Sequence, residues 1–347
     1  MSTDPDIESD QQPGCLHPRE RYDLFGHEDA ETEFAKAWSS GKMHHAWLIT
    51  GPRGVGKASF VWRAARRVLG AKPMTERGSL GSDPHDPVCQ LFESQACPDL
   101  FVLRKPWNEK TKKWRNEIVV DEARKVQKFF EKSAGAGGWR ACIVDSADDM
   151  NNNAANALLK TLEEPPARGV LFLIAHSPGR LPATIRSRCR RLDLRAPSIK
   201  RTTDWLTHSG GPQDLEQARI AAEMAHGAPG RALALAAAGG VSMAQDVDQL
   251  VSLGNKASDS ETRSMAERVS AKNAEGLRSI FYECLSDSIR QRARQKAEAG
   301  EDPSAWISSW KQVNTLVHDA DNIYLDAKQT ALSALSLVRE AARKQDA

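Results

Sequence analysis

Residues 51–58, Gly-Pro-Arg-Gly-Val-Gly-Lys-Ala, follow the phosphate-loop pattern G-x-x-x-x-G-K-[ST] at every position but the last. In such a loop the backbone N–H groups of a glycine turn cradle phosphate at a helix N-terminus. The lysine pairs with the outer phosphates, and the Ser/Thr hydroxyl helps to hold magnesium. Gly51, Gly54, Gly56 and Lys57 keep the first two capacities, and Ala58 removes the third. Ser59 does not substitute, because one residue further along turns about 100° around the helix. Two readings stay open at this point: a relic of a phosphate loop, and a site that binds ATP and magnesium weakly.

A second motif, Cys-Ile-Val-Asp-Ser-Ala-Asp-Asp at 142–149, reads as an apolar strand ending in Asp145 near a magnesium position. Hydrolysing ATPases of the Asp-Glu type carry a glutamate next, which polarises the attacking water. This chain has Ser146, a hydroxyl unable to act as a base near neutral pH. Asp148 lies three positions beyond Asp145 and is expected to point elsewhere. The magnesium hydroxyl and the water-activating carboxylate are independent losses that point the same way, to a site without ATP hydrolysis. A third motif, residues 181–192, concentrates Arg186, Arg188, Arg190 and Arg191 after an apolar run. Its plainest reading is a solvated basic loop or pairing with local carboxylates.

These residues need a frame. Ala46–Thr50 reads as a short strand before the glycine loop, and Ala58, Val61, Ala64, Ala65 and Val68 recur at helical spacing after it. Ala141–Val144 and Val170–Ala175 are continuous apolar runs, as parallel strands covered on both faces require. Helices are expected at Asp121–Glu131 and Asn153–Glu164, the latter stopped by Pro165-Pro166. The order is α/β with a parallel sheet. Beyond Pro197 the chain turns Ala-rich and helical, and residues 241–345 hold one proline, Pro303, so a separate all-helical domain is expected there. Residues 104–117 interrupt the pattern with six basic residues and two tryptophans, as a solvated loop or hairpin or as a contact for DNA.

A chain of 347 residues is long for one core and favours two or three domains. With 40% apolar and 27% charged residues its composition is that of a globular protein. The net charge of +2 makes no global case for nucleic acid. No stretch approaches the roughly 20 apolar residues of a spanning helix, and the acidic first 17 residues do not resemble a signal peptide. They are read as a disordered leader, and the chain as cytoplasmic. Six scattered cysteines suit reduced thiols better than a disulfide scaffold.

Ser187-Arg188-Cys189 resembles the signature of bacterial clamp-loader subunits of the AAA+ class. So do residues 147–166, which include Leu-Leu-Lys-Thr-Leu-Glu-Glu-Pro-Pro, together with 25–34, 44–58 and Gly-Ala-Pro-Gly-Arg-Ala-Leu-Ala-Leu at 227–235. The likeness runs from about residue 18 to 236. It implies an AAA+ α/β domain with a parallel sheet over 18–197, a small helical lid over 198–240 and an all-helical oligomerising collar over 241–347. It also implies a pentamer that opens a sliding clamp and places it on primed DNA, with the ATPase (gamma/tau) and delta subunits as direct partners and no membrane. ATPase sites in this family lie between neighbours, and a subunit whose own site is damaged acts as a stator. By resemblance Arg188 is then an arginine finger acting in trans on the neighbour's ATP, and Arg231 matches a nucleotide-sensing position. No cofactor is required by this reading. Zinc is not expected, since Cys89, Cys97 and His85 fall short of the family's four-cysteine module. His176, at the end of the third apolar run, is read as structural ahead of a nucleotide contact. An active ATPase motor subunit of the same family is the alternative. A stand-alone ATP-binding regulator leaves the arginine motif unexplained.

Overall fold

A computed structural model describes residues 8–12, 15–132, 138–323 and 325–346. They form two compact units, one within 2–215 and 225–234, the other within 216–224 and 235–347. The segment 198–240, expected as a lid of its own, is shared between them.

The first unit is built on a five-stranded sheet of β1 (Ala46–Thr50), β2 (Leu100–Arg104), β5 (Arg140–Asp145), β6 (Gly169–Ala175) and β7 (Arg190–Asp193). All its pairings are parallel, in the order β2-β5-β6-β1-β7. A small antiparallel hairpin of β3 (Trp107–Asn108) and β4 (Lys113–Trp114) follows β2. The helices are α1 (Glu28–Ser39), α2 (Lys57–Val68), α3 (Pro87–Glu93), α4 (Val120–Phe130), α5 (Asn152–Glu163), α6 (Ala183–Arg186) and α7 (Ile199–Leu206).

The continuous apolar runs are explained by two cores, one on each face of the sheet. Trp47, Ile49, Ile143, Phe172 and Ile174 pack with Phe34 of α1 and Phe60, Val61, Ala64 and Ala65 of α2. Their strand neighbours Leu48, Cys142, Val144, Leu171 and Leu173 pack with Ala123 and Val126 of α4 and Ala154, Leu158 and Leu162 of α5. Successive side chains of a strand point to opposite faces, so a strand covered twice has no polar position to spare. The three strands read from sequence are thus the central ones. The edge strands β2 and β7 were not read from sequence; each buries a single residue, Leu103 and Leu192, and β7 is charged at its other three positions.

The register sets the site. Thr50 lies opposite Ala175, and Asp145 opposite Ile174, so β1, β5 and β6 end together at the carboxyl edge of the sheet. Ligands of open α/β sheets bind in the crevice outside that edge.

The leader expected over 1–17 falls outside the described residues at 1–7, 13 and 14, but the described part is packed. Arg104 at the end of β2 donates to Asp10 Oδ1 at 2.8 Å and to Glu8. His17 is buried edge-on to Trp62. Acidic composition suggested a solvated tail; the partners of those acids are distant in sequence, beyond the reach of composition.

The second unit is helical: α8 (Leu215–Met224), the end of α9 (Pro229–Ala237), α10 (Gly240–Leu253), α11 (Asp259–Ser270), α12 (Glu275–Glu298), α13 (Ser304–Ile323) and α14 (Ala327–Asp346). α12 packs against α10 and α13, and α14 against α11 and α13. Val247, Phe281, Leu285, Ile289, Leu335 and Val338 are buried there. No described helix is long and apolar enough to cross a membrane.

Candidate nucleotide-loop site and exposed arginine

The loop from Gly51 to Gly56 joins β1 to α2, and Lys57 is the first residue of that helix. Gly54 has φ +72°, and a Cβ there would lie 2.4 Å from the Arg231 amide nitrogen. Only glycine fits so close a backbone approach. Gly230 N–H donates to Gly54 O at 2.8 Å, so the loop is tied to the start of α9. Arg231 therefore meets the loop through its backbone. The Lys57 ammonium, 3% exposed, donates to the carbonyls of Gly51 and Pro52, both at 2.6 Å. Burial pushes its pKa down to about 8, against the pull of the Asp145 and Asp148 carboxylates.

Asp145 closes β5 beside the loop, and burial raises its pKa, with the Asp10 charge adding to the rise. Ser146 Oγ donates to Asp149 Oδ2 at 2.9 Å, and Lys105 pairs with the same oxygen at 3.5 Å. The hydroxyl standing where a base is needed is thus bound to a neighbouring carboxylate. Asp148 does point elsewhere: it accepts N–H donations from His176 and from Ser177, the latter at 2.9 Å, fixing the chain beyond β6. Burial, then the Lys57 and Arg53 charges, drive the His176 pKa down to about 3, so its ring is neutral at physiological pH.

A cavity of about 370 Å³ lies over these groups. Arg53, Lys57, Asp145 and His176 are among its polar lining and Leu24, Phe25 and Trp205 among its apolar lining, with Phe25 and Trp205 stacked at 5.3 Å between ring centroids. The glycine loop and helix start fit a phosphate group. For magnesium the donor set is incomplete, with Ala58 where the pattern has a hydroxyl, and Ser146 follows Asp145 where a carboxylate would orient water.

The arginine motif divides by environment. Arg190 lies 4.7 Å over the Trp47 ring and pairs with Glu33 at 2.8 Å. Arg191 Nε donates to Thr50 Oγ1 at 3.1 Å. Arg188, just beyond α6, is 36% exposed; its Nη1 donates to Thr184 O at 2.9 Å and its Nη2 meets Glu163 Oε1 at 2.8 Å. The local pairing anticipated for the motif is present, and it leaves Arg188 half-exposed at the end of α5.

Of the cysteines and histidine weighed against zinc, Cys89 is buried beside Tyr22 and Ala71, and His85 is exposed. Among the described residues the one cluster with ligand atoms close enough for a metal is Glu8, Asp10 and His17, where Arg104 and Arg19 already neutralise the carboxylates. Sequence reasoning missed Lys105, Asp149 and Asp10 around the cavity. The Asp148-Asp149 pair was visible as a motif, but which backbone and side-chain donors it serves was not.

A family model described as "DNA polymerase III, delta subunit" matches residues 26–198, a span holding the glycine loop, Asp145 and Arg188. Over that span the chain is similar to this DNA polymerase III subunit family. It is 37% identical over 165 residues to DNA polymerase III subunit delta' of Pseudomonas aeruginosa, covering 48% of this chain and 47% of that one. With subunit delta' of Escherichia coli it shares 35% over 200 residues, covering 57% and 56%. A solved gamma subunit-related protein of Thermotoga maritima aligns over 90% of this chain and 98% of its own, at TM-score 0.44 and 17% identity. The chain spans about half the length of the curated relatives it matches.

Proposed function

We propose that this chain is a delta'-type stator of the DNA polymerase III clamp loader, a subunit without its own ATP turnover that lends Arg188 to a neighbour's ATP. Its partners in that role are the gamma/tau ATPase and delta subunits, and through them the sliding clamp and primed DNA, in the cytoplasm. The observation that carries the reading is a contrast within one unit. The chain's own site has Ala58 for the magnesium hydroxyl and a Ser146 hydroxyl bound to Asp149, whereas Arg188 is partly exposed in a surface ion pair.

Arg188 is suited to such work. A planar guanidinium presents several donors to phosphate oxygens. An arginine finger is worth about 10³ to 10⁵ in rate in GTPases. The contact with Glu163 is a half-exposed ion pair, and such pairs contribute about 0–1 kcal/mol. A phosphoryl group gaining charge in a neighbour's site outcompetes that carboxylate without a large cost. Nucleotide at the chain's own loop, where it binds, is held weakly and not turned over; this reading requires no cofactor and expects no zinc.

The test is assembly against turnover. Arg188→Ala is expected to enter the complex with wild-type yield and to cut its DNA-stimulated ATP turnover sharply. Failure to assemble, or full turnover, would remove the finger. The rival reading, an active motor subunit, predicts phosphate release by the chain's own site.

A further inference from the structure

The hairpin after β2 takes no part in either core of the sheet. Its strands are two residues each, too short to be stable as a bare ribbon. Trp107 and Trp114 sit directly opposite one another and pack edge to face, with ring centroids 5.1 Å apart. A cross-strand aromatic pair of this kind is the rivet that holds such a hairpin. The chain thus builds a small element outside both cores of the sheet.

Its charges are unevenly cancelled. Arg104 is neutralised by Glu8 and Asp10, Lys105 pairs with Asp149, and Lys112 pairs with Glu109 at 3.1 Å. Glu117 accepts from Asn151. Lys110, Lys113 and Arg115 are exposed, and among the described residues none of the three is in an ion pair. Lys113 precedes Trp114 in β4, so the alternation of a strand puts it on the face opposite Trp114, and Arg115 follows directly after the strand. Lys110 lies in the connecting turn, where Asn108 Oδ1 accepts from its backbone N–H.

We infer that this hairpin is a contact for the phosphodiester backbone of nucleic acid, with Lys110, Lys113 and Arg115 as the phosphate-binding cations and the Trp107–Trp114 pair as their support. Three uncancelled cations on a riveted turn suit a repeating anion, and a chain whose net charge is only +2 gains no such attraction from its surface as a whole. The inference does not rest on Arg188.

The experiment uses the full chain and fluorescein-labelled DNA, a primer–template and a single strand of equal length. Anisotropy is followed from about 50 to about 200 mM salt. Lys110→Ala/Lys113→Ala/Arg115→Ala is expected to weaken binding roughly tenfold or more at the lowest salt. Its log–log salt slope should flatten by about 2 to 3, since each neutralised phosphate contributes about 0.7 to 0.9. Glu109→Ala, which releases Lys112, should tighten binding. Affinity and slope equal to wild type in the triple variant would overturn the inference. So would a wild-type chain that does not bind DNA at the lowest salt, or a triple variant that loses poly-glutamate binding while it binds DNA as wild type does. Preference of the wild-type hairpin for DNA over poly-glutamate is required, because the reverse would make its partner an acidic protein.

Discussion

The Arg188 guanidinium and the Glu163 carboxylate meet at 2.8 Å, joining the motif that follows β6 to the end of the Leu-Leu-Lys-Thr-Leu-Glu-Glu helix. Both side chains are substantially exposed, 36% and 50%, so water and salt screen the pair. Glu163→Ala and Arg188→Ala should each change the melting temperature of the chain by no more than about 1 kcal/mol would produce. Calorimetry of the two variants checks this. A large loss of stability would mean that Arg188 is a structural residue, and that any loss of function in Arg188→Ala reports unfolding.

The buried pair behaves differently. Arg63 Nε donates to Glu31 Oε1 at 2.6 Å with both side chains at 5% exposure or less, linking α2 to α1. Removing one partner leaves an uncompensated buried charge, at a cost of about 3–5 kcal/mol. Glu31→Ala should therefore be strongly destabilised in urea unfolding, far more than Glu163→Ala. Equal effects would contradict the burial assigned to α1 and α2.

Lys57 carries a pH signature. Its pKa in the folded chain is about 8, below the ordinary 10.5, so between those values the unfolded chain binds more protons and stability rises with pH. The buried ammonium costs stability at pH 7. Lys57→Met should be more stable than wild type there, with the difference shrinking as pH rises through 8 toward 10.5. Thermal melts across that range decide; parallel curves for the two proteins would show that the amine is solvated.

Restoring one lost group should not restore turnover. Ala58→Ser returns a hydroxyl to the magnesium position, yet Ser146 stays bound to Asp149 and no carboxylate orients water. Phosphate release by the Ala58→Ser chain alone should stay at background in a single-turnover assay. Release well above it would show that the remaining groups are competent.

The legible parts of this molecule were those whose physics is local. β1, β5 and β6 stood out because a strand covered on both faces must be apolar at every position, and the glycine loop because few sequences place glycines and a lysine so. α4 and α5 were found within a residue of their ends. What stayed hidden depends on partners distant in sequence: the pairing of Glu8 and Asp10 with Arg104, the hold of Asp148 on the His176–Ser177 backbone, and the seat of Arg190 on Trp47. β7 was hidden for a different reason, since three of its four residues are charged and its place in the sheet comes from pairing with β1.

The proposed stator acts on a neighbour's ATP and not on its own. The most direct measurement is DNA- and clamp-stimulated ATP turnover of the reconstituted loader carrying Arg188→Ala or Lys57→Ala in this chain. A large loss with Arg188→Ala beside near-wild-type turnover with Lys57→Ala is the predicted result. Comparable large losses from both would show that the chain's own loop drives turnover, and would contradict the stator.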